Sequence, residues 1–364
     1  GAVLEGSRSL ADFRVIPGAY RGYTDNYTDK SLIHAEDAED VSIEGRGTID
    51  GQGAAFKGPY MVRPYMIRMI RCRNVAVSGV TIKDSPMWVQ HYLGCDGVSI
   101  HAITVRSHVN ANNDGIDIDC SRRVRISDCD ISSGDDAIVL KSTAMEPCRD
   151  VAVANCTISS DCNAFKLGTE TNGGFEEIVM SNCTIYDTRL AGIALEIVDG
   201  GEMNGVAISN VSMRNVGAPL FLRLGDRGRP HIATGPKQPV GRLRNVTISG
   251  VRARGCGPVG CAIAGLPGHP IENLSLRDIR LEFVGGGTAE QARRVPDENP
   301  AAYPEFKMFG PLPAYGLYFR HVRGLRLRDV EVACDKPDAR PPIVCSDVEG
   351  LITGDVPAIT QARG

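Results

Sequence analysis

Long apolar runs and aromatic residues are scarce in this chain. None of its apolar runs reaches the 18 or more residues that a membrane-spanning helix requires, so we expect no membrane partner. Phe, Trp and Tyr make up only 5% of the 364 residues, whereas hydrophobic residues as a whole make up 42%. We therefore expect a large core that is built mainly from small aliphatic side chains.

A basic excess is also missing. The chain has 40 Lys and Arg against 44 Asp and Glu, which gives a net charge of -4. Proteins that bind nucleic acids usually carry a basic excess, so we expect no nucleic-acid partner. A polyanion would have to be held by local clusters of cations.

Spacings typical of metal sites are absent. The 12 cysteines include no CxxC pair and no His/Cys cluster, so the sequence indicates no metal site, and no cofactor is expected. Several cysteines occupy apolar positions, where a thiol behaves as a small hydrophobic group. Cys256 and Cys261 are close enough in sequence for a local disulfide, and their spacing leaves free thiols equally open.

What the chain does have is a regular repeat. A unit of the form apolar-x-apolar-x-x-apolar-x-apolar recurs ten times, and successive starts from Val75 to Val206 are separated by 23, 26, 27, 27 and 28 residues. Such intervals are too short for a strand-helix-strand unit and fit one coil of a parallel β-helix. The ten units begin at Val41, Val75, Val98, Val124, Val151, Ile178, Val206, Val246, Leu274 and Leu325.

Cysteines mark one column of this repeat. Cys129, Cys156 and Cys183 are 27 residues apart and occupy the same place in three consecutive units. We therefore expect their free thiols to stack inside three successive coils.

A second strand in each coil can be aligned in the same way. Ile116, Ile138, Phe165 and Ile193 form one expected core column, and their outward neighbours form another. Since neighbouring coils lie about 4.8 Å apart, this alignment brings Asp114 and Asp136 together, with Asp135 in the turn just before.

Three clustered carboxylates have two interpretations. Asn-Asp-Gly and Gly-Asp-Asp are ordinary turn sequences in β-rich proteins. Close carboxylates, however, raise one another's pKa and are unfavourable unless a site uses them. Glycoside cleavage requires an acid that protonates the leaving oxygen and a base that activates water, which favours an active site at Asp114, Asp135 and Asp136.

From Val41 to Leu281 the chain resembles glycoside hydrolase family 28, the polygalacturonase-like pectinases. Asn112-Asn113-Asp114 matches the family's N-T-D motif, and Gly134-Asp135-Asp136 matches its G-D-D motif. The resemblance implies a right-handed parallel β-helix that cleaves with inversion. It implies that Asp135 is the general acid and that Asp114 and Asp136 hold and deprotonate the attacking water.

Two family motifs are replaced. The G-H-G histidine falls on Cys162-Asn163, and the R-I-K motif, whose cations bind the uronate carboxylate, falls on Ala194-Leu195-Glu196. This exchange removes two positive charges and introduces a negative one. We therefore expect altered sugar recognition: either a neutral sugar beside the cleaved bond, or a carboxylate that another cation meets.

Several outward residues are candidates for these replacement contacts. Lys166 could bind a carboxylate or instead form an ion pair within its column, and Lys141 could orient the carboxylates or pair with Asp119. Trp88 and His91 could stack on a sugar or pack in the core. The predicted substrate-binding residues are Asn112, Asp117, Lys141, Asn163, Lys166, Glu170, Glu196 and Arg223, of which Arg223 has a structural role as its alternative.

Taken together, the sequence predicts one all-β domain over residues 1–364, with loops at 51–70, 214–245 and 283–320 along one side of the solenoid. The opening Gly1–Ser7 resembles the middle of a coil, which is consistent with a trimmed chain, and no signal peptide is visible. We expect a secreted or periplasmic protein, with its oligomeric state left open.

The predicted function is an inverting, exo-acting glycoside hydrolase of a plant or algal, pectin-related polysaccharide or oligosaccharide. The segment Gly168–Gly174, which resembles bacterial exo-acting members, favours the exo mode. Two alternatives stay open. A polysaccharide lyase or uronate epimerase would use the aspartates as Ca²⁺ ligands, and a carbohydrate-binding β-helix would lack catalysis.

Overall fold

The chain folds into a right-handed parallel β-helix, as the repeat predicts. A computed structural model describes residues 1–17 and 28–362. Strands of successive coils pair in parallel and form three long sheets, which we name A, B and C in the order in which each coil visits them, beginning with the repeat unit.

Short strands form most of the early coils. Sheet A contains Glu39–Glu44, Arg73–Ser78, Asp96–His101, Arg122–Ser127, Cys148–Ala154 and Ile352–Gly354. Sheet B contains Val3–Glu5, Thr48–Asp50, Thr81–Lys83, Thr104–Ser107, Asp130–Ser133 and Thr157–Ser160. Sheet C contains Ser31–Glu36, Tyr65–Ile70, Gln90–Leu93, Ile116–Asp119, Ile138–Ser142, Phe165–Thr171, Cys261–Ala264, Ile343–Glu349 and Ile359–Gln361.

Longer strands in the later coils bend from one sheet into the next. They are Phe175–Ile197, Glu202–Leu224, Arg242–Cys256, Ile271–Gly285 and Leu317–Lys336. The described helices are one α-helix, Ala289–Ala292, and the 3-10 helices Leu10–Asp12, Gly53–Ala55 and Tyr60–Val62. Of the helices in the described part of the chain, none has the length and apolarity to cross a membrane.

The register of sheet A confirms the repeat. Val124 lies between Val98 and Val151, and all ten predicted starts are successive register partners. Sheet C confirms the second alignment, because Ile116 pairs with Ile138, which pairs with Phe165. Alternating Val and Ile side chains suit a pleated strand with one buried face, and these residues are nearly inaccessible to solvent.

Asparagines shape the turn between sheets A and B. Asn155, Asn182 and Asn210 each have a φ of 56°, a left-handed conformation that Asn tolerates better than most residues. The side chain of Asn210 donates to that of Asn182 across one coil step, at 2.7 Å. Each coil can therefore turn at the same point without breaking the stack.

The predicted cysteine column is confirmed. Cys129, Cys156 and Cys183 are buried free thiols in three successive coils, and each donates to the backbone oxygen two residues earlier. Cys256 and Cys261 are also buried and free, so the local disulfide is not formed.

The predicted loops are shorter than expected. The chain outside the strands covers 51–64, 225–241 and 286–316, because the flanking residues of each predicted segment already pair within the sheets. Ile67, for example, pairs with Ile33 in sheet C. Gly and Pro in the middle of a segment obscured the apolar alternation at its ends.

Candidate active site

Three aspartates meet where sheet B turns into sheet C. Asp114 and Asp136 precede paired sheet C strands, and the amide of Gly115 donates to the carbonyl oxygen of Asp136 at 2.9 Å. Asp135 lies in the turn. One carboxylate oxygen from each aspartate lies within 4.8 Å of those of the other two. Asp114 and Asp136 are buried, whereas Asp135 is half-buried.

Small polar side chains hold this turn in place. The hydroxyl groups of Ser133 and Ser160 both donate to the backbone oxygen of Asp135 at 2.6 Å. The amide of Asp136 donates to Oδ1 of Asp135 at 2.9 Å, which orients that carboxylate. The acidic turn is therefore braced from its own coil and from the next one.

The three carboxylates differ in their electrostatic surroundings. Burial alone would raise the pKa of Asp136, but the ammonium groups of Lys166 and Lys141 and the amide of Asn163 bring it below its ordinary value. Burial raises the pKa of Asp135, and the charge of Asp136 adds to that rise. Burial and then Asp135 raise the pKa of Asp114 well above its ordinary value. The cluster therefore favours ionisation of Asp136 over ionisation of its two neighbours.

Asn163 and Lys166 both contact Asp136. The backbone amide and side-chain amide of Asn163 donate to Oδ1 at 3.1 and 2.8 Å, and Nζ of Lys166 lies 3.1 Å from Oδ2. The side-chain oxygen of Asn163 accepts from the amide of Ala191. Asn163 thus fits a positioning role for Asp136 rather than the predicted sugar contact.

Lys141 connects the aspartates with Glu170. Its Nζ lies 3.7 Å from Asp114, 3.6 Å from Asp117 and 3.6 Å from Glu170. The alternative pairing of Lys141 with Asp119 is wrong, because Asp119 lies 3.3 Å from His91 and accepts two hydrogen bonds from Thr143.

Glu170 reaches the site through an irregularity in sheet C. The register shifts between the pairs Leu140–Leu167 and Ser142–Thr171, so the strand Phe165–Thr171 contains additional residues at this point. Glu170 also pairs with Arg229 at 2.6 Å. Burial alone would raise its pKa, but Lys141 and Arg229 bring it below its ordinary value.

Glu196 is buried beside Lys166, and few polar contacts offset the burial of its carboxyl group. It is 1% exposed, Nζ of Lys166 lies 3.9 Å from its Oε2, and neither carboxylate oxygen has a hydrogen-bond partner in the described part of the chain. Burial raises the pKa of Glu196 to about 8, although Lys166 opposes this rise. A sugar hydroxyl is a suitable partner for a buried carboxyl group of this kind.

The two later loops add residues that the sequence did not predict. In loop 225–241, Arg227 pairs with Asp199 at 2.5 Å, and Arg229 pairs with both Glu170 and Asp199. These side chains follow no repeat, so their position could not be read from coil spacing.

Loop 286–316 contributes an aromatic residue and a further acid. Nζ of Lys166 lies 5.6 Å from the ring centre of Tyr303, and the guanidinium of Arg227 lies 5.5 Å from it. Tyr303 is 55% exposed and so remains accessible to a ligand. Burial raises the pKa of Glu305, two residues later, to about 7.

Arg223 has the structural role that was its alternative. Its guanidinium is 1% exposed and donates to the backbone oxygens of Gly265 at 3.1 Å, Glu298 at 2.7 Å and Asn299 at 3.3 Å. Its position fastens loop 286–316 to the sheet, because two of these three acceptors belong to that loop. These buried contacts favour the structural role of Arg223 over a sugar contact.

Asn112 and Trp88 also support the scaffold. Asn112 accepts a hydrogen bond from Arg63 at 2.9 Å. Trp88 is 5% exposed and packs against Tyr65 and His91 at ring-centre distances of 5.7 and 5.0 Å. Its ring also lies 4.7 Å from Nζ of Lys141. The core-packing interpretation of Trp88 and His91 is thus the better one.

The position of the family's arginine is covered in this chain. Ala194 is fully buried in an apolar cluster with Phe221 of sheet C and with Phe306 and Phe309 of loop 286–316. An arginine at position 194 would have to displace these rings. Loop 286–316 therefore occupies the space that an arginine side chain at this position would need.

Asp114, Asp135 and Asp136 could also hold a metal ion, since each offers an oxygen within 4.8 Å of the others. Lys166 and Lys141 already place positive charges beside two of them. The donor set consists of carboxylates alone, which would suit a hard cation such as Ca²⁺.

Known proteins resemble the chain in sequence and in fold. The sequence profile of the glycosyl hydrolases family 28 matches residues 11–301. A probable polygalacturonase from Vitis vinifera is 37% identical over 155 residues, which cover 39% of this chain and 31% of the relative. The alignments thus span less than a third of the first curated relatives.

Two solved structures share the fold. An exopolygalacturonase from Thermotoga maritima has a TM-score of 0.62 and 23% identity, with 77% of this chain and 73% of that chain covered. A family 28 exopolygalacturonase from Yersinia enterocolitica has a TM-score of 0.72 and 16% identity, with 96% of this chain and 68% of that chain covered. Identities this low establish the β-helix fold alone.

Proposed function

Because the chain belongs to the glycosyl hydrolases family 28, we propose that it hydrolyses glycosidic bonds in a pectic polysaccharide or oligosaccharide. One observation carries this proposal. Three carboxylates lie within 4.8 Å of one another, yet their surroundings shift the pKa of Asp136 down and the pKa values of Asp135 and Asp114 up. A site that keeps one carboxyl group ionised and another protonated can serve as base and acid together.

Each aspartate has a distinct proposed role. Asp135, the most accessible of the three, donates its proton to the leaving glycosidic oxygen. Ionised Asp136 takes a proton from the attacking water, and Asp114 helps to hold that water. Asn163 and Lys166 position Asp136 and keep it ionised, so they act through Asp136.

The proposal includes inversion of the anomeric centre, because the resemblance to family 28 implies it. Carboxyl groups are about 6.5–9.5 Å apart in most inverting enzymes and about 5–5.5 Å apart in retaining ones. One oxygen from each aspartate lies within 4.8 Å of those of the other two, a closer approach than the inverting range describes. A third carboxylate provides a different geometry, because Asp114 and Asp136 can hold the water jointly.

We propose that the sugar beside the cleaved bond is neutral. Among the described residues, four cations around the aspartates already have acidic partners: Lys166 pairs with Asp136, Lys141 and Arg229 pair with Glu170, and Arg227 pairs with Asp199. Arg189 is exposed and contacts the thiol of Cys162. A uronate carboxylate would therefore have to compete with a buried acid for each of the four paired cations.

We also propose that the enzyme is exo-acting. Phe306 and Phe309 of loop 286–316 cover the outer face of sheet C at Ala194 and Phe221, beyond Lys166. A long substrate could not continue along the sheet in that direction. A site closed on one side supports cleavage near a chain end.

A panel of pectic substrates tests this function. Hydrolysis of polygalacturonate and of pectic oligosaccharides with neutral sugars should be compared by product analysis, and product anomers followed by NMR. We expect release of short products from chain ends, an inverted anomer and faster cleavage where a neutral sugar adjoins the bond. An unsaturated product that requires added calcium would instead establish a lyase.

A further inference from the structure

A cationic groove lies on the outer face of sheet B, on coils that follow the carboxylates. Its volume is about 580 Å³, within the range of about 300–1,000 Å³ that is common for ligand sites. Its lining includes Tyr186, Arg214, Arg252, Arg254, Arg280 and Glu282, and we call this surface the arginine groove. None of these residues belongs to the proposed active site.

The coil register builds this groove in two rows. Tyr186 pairs with Arg214, and Arg214 pairs with Arg254, so three successive coils contribute to the first row. Arg252 pairs with Arg280 in the second row. Because coils lie about 4.8 Å apart, the first row alone spans about 10 Å. The rows run along the solenoid axis, as an extended polymer would.

Like charges face each other across both rows. Arg254 lies opposite Arg214, and Arg280 lies opposite Arg252, an arrangement that is unfavourable without a counter-charge. Arg214 and Arg280 have exposed acidic partners at 3.6 and 3.4 Å, which contribute little.

Arg252 and Arg254 are exposed and have no ion pair in the part of the chain that the structure describes. Four arginines, set against Glu282 and the exposed partners Asp187 and Glu331, thus leave a local excess of positive charge in a chain whose net charge is -4.

We propose that the arginine groove binds a stretch of acidic polysaccharide that carries repeated carboxylates, at a distance from the cleaved bond. The proposal rests on the proposed function in that the same pectic polymer occupies both sites. Guanidinium groups suit carboxylates because they can form two parallel hydrogen bonds. Half-buried Tyr186 adds an aromatic ring for a sugar face.

The two sites then divide recognition of one polymer. The active site binds the neutral sugar beside the cleaved bond, and the arginine groove binds the acidic stretch. Holding a polymer at a second site raises its effective concentration at the first. This benefit applies to chains long enough to reach both sites and not to short oligosaccharides.

A binding experiment tests the groove independently of hydrolysis. In an Asp135→Asn background, Arg252→Gln/Arg254→Gln should bind polygalacturonate about three- to tenfold more weakly in affinity electrophoresis, since each exposed ion pair contributes modestly. Arg125→Gln/Arg326→Gln is the matched control, because it removes two exposed arginines from sheet A. Binding of a neutral galactan should be unchanged in both.

Other results would overturn the proposal. Equal weakening by the control pair would show that only net charge matters. Equally tight binding of DNA and polygalacturonate by the parent protein would show a nonspecific cationic patch. Unchanged polygalacturonate binding by Arg252→Gln/Arg254→Gln would show that the arginine groove does not bind this polymer. That conclusion would hold whether or not the protein hydrolyses any glycoside.

Kinetics separate this proposal from the function itself. With Asp135 intact, Arg252→Gln/Arg254→Gln should raise KM for long polymers about three- to tenfold and leave kcat and short-oligosaccharide kinetics unchanged. An equal loss on short substrates would contradict the proposed role of the groove. If the parent protein hydrolysed no glycoside, the proposed function would be wrong, but the binding result would still stand.

Discussion

Nζ of Lys166 lies 3.1 Å from Oδ2 of Asp136, and both side chains are almost completely removed from solvent. A buried carboxylate ordinarily gains a proton more easily, yet the pKa of Asp136 is lowered. The proximity of this ammonium group therefore favours the ionised form of Asp136, which its proposed role as the base requires.

Replacing Lys166 with methionine should shift the acidic limb of the pH profile. Activity requires ionised Asp136, so activity is present above its pKa and lost as pH falls through it. Removing the cation should raise this pKa and move the acidic limb of kcat/KM to higher pH. Lys336→Met, an exposed lysine of Leu317–Lys336, is the control. An unchanged acidic limb would exclude Asp136 as the base.

The Asp135→Asn variant should distinguish the residue that acts as the general acid from the one that acts as the general base. Proton donation to a leaving oxygen contributes about 10²–10⁴-fold, so turnover of natural substrates should fall by that amount. A nitrophenyl glycoside with a good leaving group needs no such proton, so its turnover should fall much less. Asp136→Asn should reduce turnover of both substrates. Equal losses for Asp135→Asn on both substrates, in a protein with unchanged circular dichroism, would contradict its role as the acid.

Glu196→Gln should stabilise the protein at neutral and alkaline pH. The pKa of Glu196 is raised from 4.5 to about 8, so the folded state binds the extra proton between these values and stability falls as pH rises through them. The glutamine variant lacks this loss. Its free energy of unfolding should therefore exceed that of the parent by on the order of 1–4 kcal/mol at pH 8, with little difference at pH 4. Thermal unfolding at both values measures it, with exposed Glu176→Gln as the control. A gain that does not depend on pH would refute this explanation.

Repetition explains why so much of the fold could be predicted. The register that joins Val124 to Val151, and Ile116 to Ile138, follows from side chains that recur with each coil. The same register predicted that Asp114 and Asp136 would be neighbours, and it placed Lys166 in the outward column next to Val139. The positions of residues within the repeat therefore follow from their spacing in the sequence.

The remaining part of the site lies outside the repeat. Tyr303, Glu305 and Arg229 reach the carboxylates from loops whose paths depend on packing between distant residues. Phe306, for example, is held by an apolar cluster that includes Ala194. Coil spacing carries no information about such contacts, and it could not show that Arg223 is satisfied by the same loop.

The cover formed by loop 286–316 should determine where the enzyme cuts. Phe306→Ala/Phe309→Ala removes the rings that hold the loop on sheet C, and each truncation of a buried phenylalanine costs about 3–5 kcal/mol. The loop should detach while the core of the β-helix remains, so a protease should cleave the loop faster. A polymer could then continue along the sheet, and internal bonds would become accessible.

The measurement is the loss of viscosity per bond hydrolysed, which is small for cleavage at chain ends and large for internal cleavage. We expect this ratio to rise in Phe306→Ala/Phe309→Ala and to stay at the parent value in Val295→Ala, since Val295 is 69% exposed in the same loop. Faster proteolysis of the loop with an unchanged ratio would show that the cover does not impose the exo mode. The restriction would then have to come from another part of the β-helix, such as the earlier coils that contain the buried rings of Tyr65 and Trp88.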